Sequence, residues 1–163
     1  MKTSMIGVRA IAIAVLAIIA ASDSRAQQPF SDAEIMIVFQ RSADSYAFGH
    51  RQLERRAQPP AITVEGTLFT PIVADAFRKR IRKAIAGGTC TLPDTVSGDF
   101  SVPRVTAPVG EAPGVPACIA SRLPPLPDEL EYRVAGVALL LVDAHLHIVV
   151  DVLHAAFPAP DWP

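Results

Sequence analysis

Apolar and polar residues follow three different rhythms along this chain, and each rhythm predicts a different kind of element. From residue 31, Ile35, Val38, Phe39, Ser42, Tyr46, Gly49 and Leu53 step by three or four, which predicts one amphipathic helix over 31–56. Ser31 and Glu34 have the spacing of a capping box at its start. Asp32 and Glu34 suit the positive N-terminal end of that helix, and Arg51, Arg55 and Arg56 suit the other end. Pro59-Pro60 stops it, and Gly49 predicts a kink or a close neighbour midway. A linker over 57–69 contains a short candidate strand, Ile62-Thr63-Val64. The same rhythm returns at Ile72, Val73, Ala76, Phe77, Ile81, Ala84 and Ile85, predicting a second helix over 70–86. Thr70-Pro71 opens it as N-cap and first helical residue, and Gly87-Gly88 closes it.

From Thr89 to Asp128 neither period persists, and eight prolines fall between Pro93 and Pro127. A stretch this long without regular structure is uncommon in a small domain unless something ties it down. We expect an irregular, partly extended crossing over 89–128, with Val102 and Val105 reaching the core. The last rhythm has a period of two: strands over Glu131–Ala135, Val137–Asp143 and Ile148–Leu153 make a meander over 131–153. In the middle strand Leu139 and Leu141 occupy one face while Leu140 and Val142 occupy the other. Apolar residues on both faces require cover on both sides, which we assign to the helices. The expected class is therefore α+β, with two amphipathic helices, a Pro-rich crossing and a terminal three-stranded antiparallel meander. A Pro-rich tail carrying Trp162 follows.

The N-terminus changes the picture by supplying a compartment. Lys2 and Arg9 form a basic head, Ala10 to Ala21 is an uninterrupted apolar run, and Ser24-Arg25-Ala26 places small residues at −3 and −1. This is the pattern of a signal peptide over 1–26, too short to remain as a membrane anchor. A mature chain beginning at Gln27 makes 27–163 one α+β domain in the periplasm or outside the cell. No Cys follows the cleavage position, so a lipid anchor of the lipoprotein type is not expected. The leader carries three cations and one acid, so its removal takes the formal charge from −1 to −3. That balance excludes nucleic-acid affinity driven by bulk charge and leaves room for a local basic face. An Ala-rich chain with more Arg than Lys and no Asn fits a GC-rich bacterial genome. Two cysteines, Cys90 and Cys118, remain after cleavage, and in an oxidising compartment they are expected to pair and tie the crossing.

The terminal run Leu126-Pro127-Asp128-Glu129-Leu130-Glu131-Tyr132-Arg133-Val134-Ala135-Gly136, with Leu139 to Asp143 and Ile148 to Leu153, resembles the closing hairpin of many short secreted proteobacterial proteins. Periplasmic proteins of nickel and cobalt homeostasis are among them. The stretch Phe39 to Phe48, continuing through His50 to Arg56, resembles an uncharacterised family of short secreted bacterial proteins. These two stretches cover under a third of the chain. The resemblance implies an extracytoplasmic address and the β end, and implies no catalytic residue.

Chemistry-bearing residues gather in three places. No His-Glu-x-x-His, Gly-x-Ser-x-Gly, Walker A, Cys-x-x-Cys or Gly-x-Gly-x-x-Gly pattern occurs, so no catalytic residue and no organic cofactor is assigned. The hairpin holds Asp143, His145, His147, Asp151 and His154. A three-residue loop, Ala144 to Leu146, would set Asp143 opposite His147 with Asp151 on the same face. Asp143, His145, His147 and Asp151 then offer imidazole and carboxylate donors to Zn²⁺, Ni²⁺ or Cu²⁺. A two-residue loop scatters them, and a solvated polar tip accounts for the same residues. Tyr46, His50 and Glu54 lie at i, i+4 and i+8 and share one line of the first helix, as an acid–base line or as a core aromatic beside a helix pair. The run Arg78-Lys79-Arg80-Ile81-Arg82-Lys83 presents cations, of which Arg78, Lys79, Arg82 and Lys83 are the candidate contacts for an anionic envelope component or an acidic protein; a solvated helix face is the alternative. The expected function is a small periplasmic or secreted binding or accessory protein without enzymatic activity, with divalent-metal binding through His145 and His147 as the alternative.

Overall fold

Helices lie on one face of a three-stranded sheet, joined there by Ile119 and Leu123 from the later part of the Pro-rich crossing, while residues 102–112 of the crossing cover the other face. The computed structural model describes residues 30–59, 62–88, 90, 92 and 101–158. The expected signal peptide over 1–26, part of the crossing and Trp162 lie outside the described residues. The described residues from Ser31 onward form one compact unit.

Helix α1 (Asp32–Arg55) begins with the reciprocal capping box, in which the Ser31 hydroxyl accepts from the Glu34 N–H while the Glu34 carboxylate accepts from the Ser31 N–H at 2.8 Å. Its buried line is Met36, Phe39, Ala43, Ala47 and His50. That line is rotated from the expected stripe: Val38 is exposed, and the small Ala43 and Ala47 are fully buried. Alanine is apolar enough for a core and short enough to let a helix backbone lie near its neighbour, so hydrophobic size alone misplaced the face. No atom outside the helix lies within 4 Å of where a Gly49 Cβ would sit, so the expected close approach is absent there. Helix α2 (Pro71–Ala86) starts with Pro71 in the first turn, but the Thr70 side chain makes no capping bond. Gly88 takes a positive φ of 72° as the chain turns away after α2. The candidate strand Ile62–Val64 does not form, and both Ile62 and Val64 are exposed; the Thr63 hydroxyl donates to the Val150 carbonyl instead.

The sheet consists of β1 (Leu130–Ala135), β2 (Ala138–Asp143) and β3 (Ile148–Leu153), antiparallel in the order β1-β2-β3. On its helix side Leu139, Leu141, Val134 and Leu153 pack with Phe39, Phe69, Phe77 and Ile81. The three phenylalanine rings touch one another, with Phe39 and Phe77 edge to face at 4.7 Å. The pairing of β2 with β3 shifts between Leu141↔Asp151 and Val142↔Val149, leaving Val150 as the extra residue of a bulge. The bulge turns Val150 and Asp151 together toward the helix layer.

The second face carries Leu140, Val142, Val149 and Val152, and it is covered by Val102, Val105, Val109 and Ala112 of the crossing. This corrects the assignment of both faces to helices, and Val102 and Val105 reach the core as expected, half-buried against it. At the β3 edge the crossing pairs by hydrogen bonds from Thr106 N to Val149 O and from Val149 N to Ala107 O. At the β1 edge, Val134 N donates to Pro113 O. Both exposed edges of the small sheet are thereby occupied. A single turn of helix, α3 (Ala117–Ala120), follows and carries Cys118, which is bonded to Cys90 just beyond α2. Closing a 28-residue separation restricts the unfolded chain by about 3.5 kcal/mol on chain-entropy grounds. Among the described residues no helix is long and apolar enough to cross a membrane.

Candidate metal centre

The turn between β2 and β3 is where α1 meets the sheet. Ala144 to His147 form a four-residue connection, one longer than expected, so Asp143 pairs with Ile148 and not with His147. Asp143 shapes this turn: its Oδ1 accepts from the N–H groups of His145 at 3.0 Å and Leu146 at 2.9 Å. His147 closes it in the left-handed region, at φ 54°, with its N–H bonded to the Asp143 carbonyl.

The other oxygen of Asp143 faces α1. Oδ2 of the fully buried Asp143 accepts the Tyr46 hydroxyl at 2.8 Å and lies 2.8 Å from Nδ1 of the buried His50. Burial first, then the bond to Asp143, pushes the Tyr46 phenol far above its ordinary value of 10, so it remains a donor. His50 is itself only 4 % exposed, unusual for an imidazole unless both nitrogens have tasks. Its second nitrogen, Nε2, points toward Glu54 and His145. Nε2 lies 2.9 Å from Glu54 Oε1, at an angle that gives no hydrogen bond, and it has no other partner among the described residues. His145 Nδ1 reaches the same Glu54 oxygen at 3.2 Å, with the two imidazole rings edge to face at 5.4 Å. His50, and after it His145, holds the exposed Glu54 carboxylate below its ordinary range.

Three donor atoms therefore converge: His50 Nε2, Glu54 Oε1 and His145 Nδ1, all within 4.8 Å of one another. Around a tetrahedral zinc with bonds of about 2.0–2.1 Å, neighbouring ligand atoms lie roughly 3.3 Å apart. The observed 2.9 and 3.2 Å are close to that spacing. Beside the cluster, Arg51 of α1 pairs with Glu129 just before β1, and the Glu129 carbonyl accepts from Ala144 N–H. Burial alone would raise the Glu129 carboxyl, but the Arg51 hydrogen bond and charge outweigh it and hold the group below its ordinary value of 4.5.

Of the four hairpin residues expected to bind metal, only His145 joins this cluster. Asp143 stands behind it and orients His50. Asp151 is fully buried elsewhere, accepting N–H bonds from Gly66, Leu68, Phe69 and Val152 at 2.7–2.8 Å, so its oxygens are occupied. His147 is exposed, and His154 faces Glu65 at 3.0 Å. The hairpin and the Tyr46–His50–Glu54 line, separate in sequence, form one site. Asp143, read from sequence as a hairpin-tip residue, is fully buried, and no local signal linked residue 143 to residue 50.

The cationic run of α2 divides around the helix. Arg78 turns to Asp75 and the His154 carbonyl, and Arg82 projects separately into solvent. Lys79 and Lys83 share a cleft with Arg80 and with Arg122, which follows α3. Comparisons with family models, curated proteins and solved structures return no match to this chain.

Proposed function

We propose that this chain is a small extracytoplasmic protein that binds a first-row divalent metal, such as Zn²⁺, Ni²⁺ or Cu²⁺, through His50, Glu54 and His145. The observation that carries the reading is the buried His50 Nε2. It lacks a hydrogen-bond partner and faces two further metal-compatible donors, while the other ring nitrogen is backed by a buried carboxylate. A carboxylate behind the distal imidazole nitrogen is the usual partner of a metal-bound histidine, since it fixes the tautomer and raises the basicity of the ligating nitrogen. Without a metal the only group beside this nitrogen among the described residues is the exposed Glu54 oxygen at 2.9 Å, poorly aligned for a hydrogen bond; with one, both atoms gain a strong bond. Two imidazoles and one carboxylate suit borderline metals better than Ca²⁺ or Mg²⁺, which prefer all-oxygen sites. Tyr46 donates to Asp143 and keeps that carboxylate in place, a positioning role.

An address in the periplasm or outside the cell agrees with the leader pattern over 1–26 and with the Cys90–Cys118 bond, which persists in oxidising compartments. Thermal unfolding with and without Zn²⁺, Ni²⁺ and Cu²⁺ tests the metal reading. A metal at ~100 times its Kd adds about 2.7 kcal/mol of stability. The expected result is a raised melting temperature in the native chain and none in Glu54→Gln combined with His145→Ala, both exposed positions. Equal shifts in the two proteins, or none in either, contradict it.

A further inference from the structure

A second site lies at the far end of α2, and its chemistry is opposite to that of the metal cluster. A cavity of about 620 Å³ opens where the end of α2, the start of α1 and the turn after α3 meet. Lys79, Arg80, Lys83 and Arg122 line it, Asp32 is the one carboxylate, and Cys118 of the disulfide forms part of the wall.

Asp32 is already engaged. Both Arg80 Nε, at 3.1 Å, and Arg80 Nη2 bond to its Oδ2, while Arg80 Nη1 donates to the Arg122 carbonyl at 3.0 Å. The guanidinium is thus held in a fixed orientation at the cavity rim, tied to two other segments. Among the described residues Lys79, Lys83 and Arg122 make no ion pair with a carboxylate. One cavity therefore concentrates an excess of three positive charges on a chain whose formal charge is −1. Such a concentration is costly through self-repulsion unless an anion relieves it, and a concave wall focuses the field where an anion would sit. The lining mixes two lysines with arginine, which together match phosphate oxygens: arginine by directed N–H donors, lysine as a mobile point charge. A volume of this size falls within the range of small-molecule sites and exceeds what a single inorganic anion fills.

We propose that this cleft binds a compact polyanion carrying two phosphate groups, held by Lys79, Lys83 and Arg122 with Arg80 as a fixed donor. The phosphates come either from a soluble metabolite or from a lipid headgroup at the membrane surface. The disulfide ties the wall that carries Cys118 and Arg122 to the end of α2, so the two sides of the cleft keep their spacing. The site is independent of His50, Glu54 and His145.

The test is calorimetric titration of the purified protein with pyrophosphate, with metal removed by a chelator, beside co-sedimentation with phosphatidylcholine vesicles with and without cardiolipin, whose headgroup carries two phosphates. Expected is saturable binding that weakens as salt rises and falls at least ~10-fold in Lys79→Glu with Lys83→Glu, both exposed side chains. Arg82→Glu, which changes charge on the same helix outside the cavity, leaves it within about twofold. Pyrophosphate binding without vesicle binding assigns a soluble ligand; vesicle binding that pyrophosphate competes away assigns the headgroup. Absence of both, or binding that Arg82→Glu weakens as much as the double reversal, overturns the proposal.

Discussion

Asp143 and Asp151 show how two buried carboxylates eight residues apart acquire different tasks. Both extend from the sheet toward the helices, and both are fully buried. Asp151 meets backbone: the three N–H groups of Gly66, Leu68 and Phe69 that lead into α2, together with Val152. Those buried and half-buried donors would otherwise lack this acceptor, so the side chain acts as the anchor of the segment before α2. Replacing it with alanine is expected to lower stability by about 3 kcal/mol or more, because several buried donors lose their acceptor at once. Denaturant unfolding measures this, and a loss near the ~1 kcal/mol of an average substitution would contradict the anchoring role. Asp143 instead divides its oxygens, one for the turn and one for Tyr46 and His50. Its distance of 93 residues from His50 explains why no spacing rule joined them.

At the scale of elements, α1 is tied to the sheet by the Arg51–Glu129 pair as well as by packing. Glu129 is buried and its carboxyl is held below 4.5, so its contribution to stability is present above that pH and is lost as pH falls through the depressed folded value. The melting temperature should therefore fall on acidification below about pH 4.5, with a shallower fall in Glu129→Gln. Superimposable pH profiles for the two proteins would show that the tie contributes nothing. The helices and strands themselves were legible, because caps, proline stops and periodicity are local. The Ser31–Glu34 box and the six strand ends came within a residue or so of their observed places. What escaped was orientation. Val38 and Ile72 looked like core residues and are exposed, whereas Ala43, Ala47 and Ala74 are buried. Which small residue faces a neighbour depends on how close that neighbour comes, and a periodic pattern does not contain that distance. The bulge at Val150 was equally silent, and it decides where Asp151 points.

For the whole molecule, the consequence of this architecture is that one small sheet serves two layers. Helices on one side carry most of the candidate chemistry, while the first part of the proline-rich crossing covers the other side and bonds to both edge strands. The His50–Glu54–His145 cluster forms only because the β2–β3 turn lies against the C-terminal half of α1, bringing His145 to Glu54 across 91 residues of chain. Its three residues were all visible as candidates, divided between a helix line and a hairpin, and only tertiary contact unites them. X-ray absorption of the zinc-loaded protein at the zinc edge tests the central claim most directly. The account predicts two imidazole nitrogens and carboxylate oxygen in a shell at about 2.0–2.1 Å. A shell of oxygen alone, without imidazole scattering, would contradict it.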